Sequence, residues 1–471
     1  MLYDFKAKSQ KGRYIDVVSL YPTVMYYDKY PIGHPTKIVK PDVYDPNWFG
    51  FVHCKMLPPR GLYHPVLPYK QKTKQAHKLL FGLCKACMQN IDLKCSHHKN
   101  VKCKEDCKEK KCKECKANRS ILKRTCNQCF NIRNVECFHS DDQRAITGFW
   151  CTNEIQKAIE KGYQIQDIYE AWHFDNSSTD LWKGYITKFL KIKLETSEFS
   201  CSEEEYRRKA RLLGIELDKL EENPGLRFIA KICLNSLWGK FGQNPKNRQS
   251  KYIEKEVDFY KIVLDDKIES LSLSFLNDST VYASYETKDE FLKQNYNTNI
   301  YIACFTSAWA RLRLYDMIER IGRQVCYMDT DSVVFIEDET NKYIFENDLG
   351  DGLGEWSYEL IDKKTHELYY MDFWACAQSK DYGYITNKEK YVGKVKGFRV
   401  TAETENKMNH QARIDLIKGS IQNIDICYDQ FTIKNSQIFT QSLVKQWGFQ
   451  FDKRRIVNLE DNEIDTIPFD F

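Results

Sequence analysis

Two apolar runs, Val325-Cys-Tyr-Met328 and Val333-Val-Phe-Ile336, are separated by only Asp329-Thr330-Asp331-Ser332. Short apolar runs of this kind read as strands, and so tight a connection folds them into an antiparallel hairpin. The chain must therefore build a sheet that carries two carboxylates at a strand turn. Asp is common in turns because it bonds its own backbone, so the pair alone decides nothing. Two like charges this close repel unless a cation lies between them, however, and paired carboxylates are a usual hold on divalent ions.

Two upstream stretches bear on that choice. Strand-like Arg13-Tyr-Ile-Asp16-Val-Val runs into Ser19-Leu-Tyr21-Pro22, which reads as a turn entering a helix. Farther on, Glu222-Asn223-Pro224 marks a helix start, with Asn223 as cap and Pro224 in the first turn. That helix places Leu226, Ala230, Cys233, Leu237 and Phe241 on one face, and Arg227, Lys231 and Asn235 at four-residue intervals on another. Such a stripe is ordinarily a solvated face. Beside a carboxylate pair, it would also supply cations for a triphosphate. Residues 203–221 are charged and helical in pattern, and Tyr301–Ile321 should form a long helix leading into the hairpin.

Read in order, Asp16-x-x-Ser19-Leu-Tyr21-Pro22, Lys231-x-x-x-Asn235-Ser236-x-Trp238-Gly239 and Tyr327-x-Asp329-Thr-Asp331-Ser332 resemble the A, B and C motifs of family B DNA polymerases. Their variants point to the protein-priming branch of phage, linear-plasmid and Maverick/Polinton-type enzymes. The resemblance implies an α+β fold: a right-hand palm with a mainly antiparallel sheet, helical fingers, a thumb and a Cys-rich insertion. The implied divisions are palm at 1–30, an insertion at 31–180, fingers at 181–245, a second insertion at 246–290, palm again at 291–398, and thumb at 399–471. The implied activity is DNA-templated addition of dNTPs to a 3′-hydroxyl, with initiation on a terminal protein.

The same resemblance assigns roles. Asp16, Asp329 and Asp331 would hold two Mg²⁺ ions. Tyr21 would lie under the incoming sugar and exclude a 2′-hydroxyl, because a rigid ring leaves no volume for the extra oxygen. Arg227, Lys231, Asn235 and Trp238 would meet the nucleotide, Trp238 standing where the family usually has Tyr. Ser19, Ser236 and Gly239 would face primer or template, and glycine permits close approach there. Lys380-Asp-Tyr382 matches a KxY motif that holds the primer terminus, and Lys396 lies in a basic strand suited to duplex phosphate. A reverse transcriptase would show YxDD instead.

Ten of the eighteen cysteines fall between Cys84 and Cys137. Cys84-x2-Cys87, Cys112-x2-Cys115 and Cys126-x2-Cys129 are three CxxC knuckles, with Cys95, His97, His98, Cys103, Cys107, Cys137 and His139 between and after them. Three knuckles so close together suggest structural Zn²⁺ in closed thiolate sites, although spacing does not say which residues share an ion. Between residues 84 and 139 Lys and Arg outnumber Asp and Glu by fourteen to six, against a chain total of only +5. A segment so basic and core-poor is expected to need metal to order itself, and the resemblance implies that it clamps DNA or the primer protein.

No apolar run approaches the roughly eighteen residues of a membrane span, and no membrane partner is expected. The cysteine pattern points to a reducing compartment, and the resemblance implies the nucleus for a mobile-element origin or the mitochondrion for a linear plasmid. Motif A begins only sixteen residues in, which leaves no room before it for the 3′–5′ exonuclease that proofreading relatives carry. The expectation is a polymerase without proofreading in this chain. The rival reading is a truncated or decayed mobile-element remnant that binds DNA or zinc without catalysis.

Overall fold

The computed structural model describes residues 1–72, 77–89, 137, 139–198, 202–244, 246–292, 298–341, 348–362, 365–434, 437–449, 454–458 and 464–468. Cys112, Cys115, Cys126 and Cys129 lie outside the described residues. A ten-stranded antiparallel sheet forms the centre, with path order Val325–Asp329, Ser332–Glu337, Lys11–Val17, Met371–Gln378, Leu2–Asp4, Ile464–Ile467 and Arg455–Asn458. Trp356–Tyr358 pairs beside Lys11–Val17, while Asp381–Thr386 and Tyr391–Val395 extend the sheet from Met371–Gln378.

Period-two alternation makes two cores from these strands. Ile15, Val17, Val333 and Phe335 point to one face, where they pack with Ala310, Met317 and Ile318 of the long helix Ile300–Ile321. Val334 and Ile336 point the other way, into a cluster with Trp374, Tyr382 and Tyr384, against which Tyr14 packs. The helix is held to its neighbour Thr152–Glu160 by Arg311, whose Nη2 lies 2.7 Å from Glu154 Oε1.

A four-stranded sheet of Thr36–Val39, Gln164–His173, Gly50–Leu57 and Ile146–Cys151 packs on the same helix face. Its Val52, Cys54, Met56 and Trp150 are buried in one cluster with Ile15 and Val333. Described residues of the stretch 31–180 thus share the main core with the central strands. Strands come back to the centre at the other end of the chain too. Within 399–471 the helices Ala402–Lys407 and His410–Lys418 and the hairpin Asn423–Lys434/Gln437–Gly448 precede a return to the central sheet, where Leu2 pairs with Ile464.

Three helices, Lys183–Glu195, Glu203–Leu212 and Pro224–Phe241, form a layer over Leu20–Tyr27 and Ile300–Ile321. Asn223 caps the third by accepting from Leu226 N, with Pro224 in the first turn, as the sequence indicates. Its packing face follows the apolar stripe read from sequence except in the first turn. Ala230 and Leu234 are buried and Leu237 and Phe241 pack against the cluster that holds Leu234, whereas Leu226, in the first turn, is exposed. Residues 249–287 contribute a three-stranded sheet and the helix Glu256–Val263. No helix among the described residues is long and apolar enough to cross a membrane.

Candidate active site

Asp16 occupies the penultimate position of Lys11–Val17, directly across from Ser332, and Val17 N donates to Asp331 O at 2.8 Å. Topology thus brings together residues more than three hundred positions apart. Asp16 shares a strand face with Tyr14, opposite the buried Ile15 and Val17. Its carboxyl is pushed up to about 7, first by burial and then by Asp331 and Glu359, while Lys231 pulls it down. Asp331 is also raised by burial, with the Asp329 charge acting the same way. Two half-buried carboxylates that resist joint ionisation fit a divalent cation, which would relieve both the repulsion and the desolvation.

The turn itself is strained. Thr330 has φ of +59° and Asp331 N closes onto Asp329 O at 2.6 Å. Ser19, at the entry to Leu20–Tyr27, and Lys380, between Met371–Gln378 and Asp381–Thr386, also lie at positive φ, +61° and +60°. A non-glycine residue in that region costs on the order of 1–3 kcal/mol and tends to occur where function demands the geometry. Here Thr330 and Lys380 both contact Asp329, and Ser19 follows Asp16 by three residues.

Lys380 Nζ lies 3.1 Å from Asp329 Oδ2, and Lys380 N accepts no slack: it donates to Tyr327 Oη at 3.0 Å. Tyr327 in turn donates to Asp329 Oδ2 at 3.4 Å, and Tyr382 Oη is 3.3 Å from Tyr14 Oη. A groove of about 460 Å³ opens beside them, lined by Tyr14, Asp329, Glu359, Lys380, Tyr382, Lys394 and Lys396 among others. On the opposite flank Tyr21 stacks on Trp238, ring centroids 4.2 Å apart and planes 23° from parallel. Indole therefore supplies the stacking surface here. Asn235, Ser236 and Gly239 are exposed on the same helix, and a Cβ on Gly239 would meet nothing within 4 Å.

Arg227 and Lys231 are exposed, Arg227 donating to Ser197 Oγ at 2.9 Å. Sequence reading missed the third cation of this group. Lys193, on Lys183–Glu195, approaches Ser19 Oγ at 3.4 Å, and burial together with Arg227 and Lys231 lowers its pKa to about 8. No local signal marks it, because Lys193 is one of several lysines on an ordinary amphipathic helix. Glu359 was missed for a similar reason: it lies just past the short strand Trp356–Tyr358 and reaches the site by pairing, Glu359 N donating to Tyr14 O at 2.9 Å.

A family model described as DNA polymerase type B, organellar and viral, matches residues 1–107 and 106–323. A probable DNA polymerase of Ascobolus immersus is 24% identical over 203 residues, 43% of this chain and 14% of that protein. One from Neurospora intermedia is 25% identical over 212 residues, 45% of this chain and 19% of that protein. The matched stretches are thus a small part of those relatives' length. Among solved structures, phi29 DNA polymerase with primer–template DNA aligns with a TM-score of 0.54 at 16% identity, covering 95% of this chain and 60% of that one. Its ternary complex with primer–template and incoming nucleotide gives 0.54 at 15% identity, covering 94% and 58%. The likeness is one of fold: mixed helix and sheet around a curled antiparallel sheet, the palm architecture anticipated from the motifs.

Proposed function

The chain belongs to the organellar and viral type B DNA polymerases, and from that premise we propose that it extends a 3′-hydroxyl on a DNA template, taking dNTPs. The observation that carries this reading is the meeting of Asp16, on its strand, with Asp331 in the adjoining turn: both carboxyls are raised by burial, Asp16 further by Asp331 and Asp331 further by Asp329. Asp16 and Asp331, with Asp329 beside them, are the residues to hold two Mg²⁺, which when bound lower the pKa of the attacking hydroxyl and neutralise the leaving pyrophosphate.

The chain's own groups supply the rest. Lys193, Arg227 and Lys231 form a cationic wall for the triphosphate, and fixed charges of this kind cost no reorganisation as negative charge builds. Tyr21, braced by Trp238, closes the volume beneath the sugar. Lys380 and Tyr382 bear on the primer terminus, and Lys394 and Lys396 on phosphate along the groove. Initiation on a terminal protein hydroxyl is part of the proposal, because such a hydroxyl could occupy the same position as the primer end. The test is primer extension on a defined template with Mg²⁺ and each dNTP. Extension supports the reading. DNA binding without extension would favour a remnant that has lost catalysis.

Two side chains make separable contributions. Tyr21→Ala should relax sugar selection, raising ribonucleotide incorporation relative to dNTP at least about tenfold, the size of a clash near 1.4 kcal/mol. Lys193→Ala should raise KM for dNTP by about tenfold to a hundredfold, as expected for a charged hydrogen bond of ~1.5–3 kcal/mol. Because the Lys193 pKa is lowered to about 8, nucleotide affinity should weaken as pH rises through that value. Lys193→Arg should flatten the profile, because guanidinium stays charged.

A further inference from the structure

We propose that Cys84, Cys87, Cys137 and His139 form one closed tetrahedral Zn²⁺ site that joins the two ends of the Cys-rich segment. The four ligand atoms lie within 4.8 Å of one another. His139 Nδ1 is 3.5 Å from Cys84 Sγ, 3.4 Å from Cys87 Sγ and 3.2 Å from Cys137 Sγ. Bonds of about 2.3 Å to sulfur and 2.0 Å to nitrogen, meeting at tetrahedral angles, put ligand nitrogen and sulfur about 3.5 Å apart. The three observed separations are close to the edges of that tetrahedron.

A hydrogen-bonded thiol cluster does not account for the arrangement. One ring nitrogen has a single lone pair or a single proton to share, yet three sulfurs converge on it. A central cation uses all four groups at once. The three cysteines form no disulfide. Cys87 N also donates to Cys84 Sγ at 3.4 Å, a backbone bond that stabilises a thiolate at the first position of a CxxC turn.

The surroundings fix both halves of the site on the main core. Met88, one residue beyond Cys87, is fully buried with Ile15 and Val333, and its carbonyl accepts from Gln71 Nε2 at 3.0 Å. On the other half, Arg60 donates to Cys137 O at 3.1 Å and to His139 O at 3.2 Å. Ser140 then caps the helix Asp141–Arg144, and Arg144 donates to Pro58 O at 2.9 Å. Among the described residues, the first CxxC knuckle thus takes its partners from the far end of the cysteine-rich stretch. Metal at this position closes residues 88–136 into a loop with both ends held on the polymerase core.

The test is zinc content by mass spectrometry of the full chain, of a variant with residues 90–136 replaced by a short Gly-Ser linker, and of each with Cys84→Ser and Cys137→Ser. One zinc per chain is expected in the linker variant, and none once the two cysteines are replaced. In the full chain the same double substitution should remove one equivalent. Cobalt loaded into the linker variant should show tetrahedral thiolate absorption, and His139→Cys should keep the metal while strengthening the sulfur charge-transfer band by about a third, as a fourth thiolate replaces nitrogen. A folded linker variant without metal, or a full-chain zinc count unchanged by Cys84→Ser/Cys137→Ser, would overturn the assignment. These readouts do not depend on primer extension, so failure of the site and failure of the polymerase reading are distinguishable.

Discussion

Asp16→Asn or Asp331→Asn is expected to lower the rate of primer extension by on the order of a thousandfold or more, while binding of primer–template DNA changes little. The two carboxylates share one environment: each is partly buried and raised by that burial, and the Asp331 charge raises Asp16 further. Removing one charge leaves the other without the partner needed to hold a second cation, and metal stabilisation of developing charge is worth several kcal/mol, about a factor of ten for each 1.36 kcal/mol. Asp329→Asn should have a smaller effect. Asp329 is already engaged by Lys380 at 3.1 Å and by Thr330 Oγ1 at 3.1 Å, so part of its charge is committed within the protein. Single-turnover extension with each variant, beside filter binding of the same DNA, measures both quantities. Extension indifferent to Asp16→Asn and Asp331→Asn would refute the assignment of this site.

The second large effect is expected far from the carboxylates in chemistry but adjacent in sequence to Lys380. Asp381 and Arg413 form a fully buried ion pair, their side chains 2% and 0% exposed. Asp381 also accepts from Trp447 Nε1 at 2.8 Å, and the Arg413 guanidinium lies 4.9 Å from the Trp447 ring centre. Losing one partner of such a pair strands a charge in the interior, which costs ~3–5 kcal/mol. Arg413→Ala and Asp381→Ala should each lower the thermal unfolding midpoint markedly, whereas the double variant Asp381→Leu/Arg413→Met should recover much of the loss. Asp381 sits between Lys380 and Tyr382, so the single variants should also weaken DNA retention during extension. Equal stability of the single and double variants would show that the pair contributes no buried charge of consequence.

Much of the site was legible along the chain because its chemistry is local. The hairpin around Asp329 and Asp331 follows from two apolar runs and a short connection, and it forms as Val325–Asp329 and Ser332–Glu337. Asn223 and Pro224 announce the helix that carries Arg227, Lys231 and Asn235. What escaped was packing. Leu226 looked like a core position by periodicity, but it is exposed in the first turn, while Leu237 and Phe241 of the same stripe pack inward. Nor did the chain reveal in advance that Val52, Met56 and Trp150, from the stretch after residue 30, are buried with the central strands. Periodicity says that a face is apolar; it does not say what covers it.

The sequence by itself determined which residue types could do the chemistry: carboxylates at strand ends and turns, a cationic helix stripe, an aromatic before proline, and thiols in CxxC turns. Tertiary structure decided which of them meet. Asp16 reaches Asp331 because Lys11–Val17 pairs with Ser332–Glu337 in one register, and a slip of one residue would turn Asp16 into the core. Lys193 joins Arg227 and Lys231, and Cys84 and Cys87 find Cys137 and His139, through the same long-range packing. Such contacts are fixed by the burial of other side chains, so their information lies in the whole core and not in the residues that do the work.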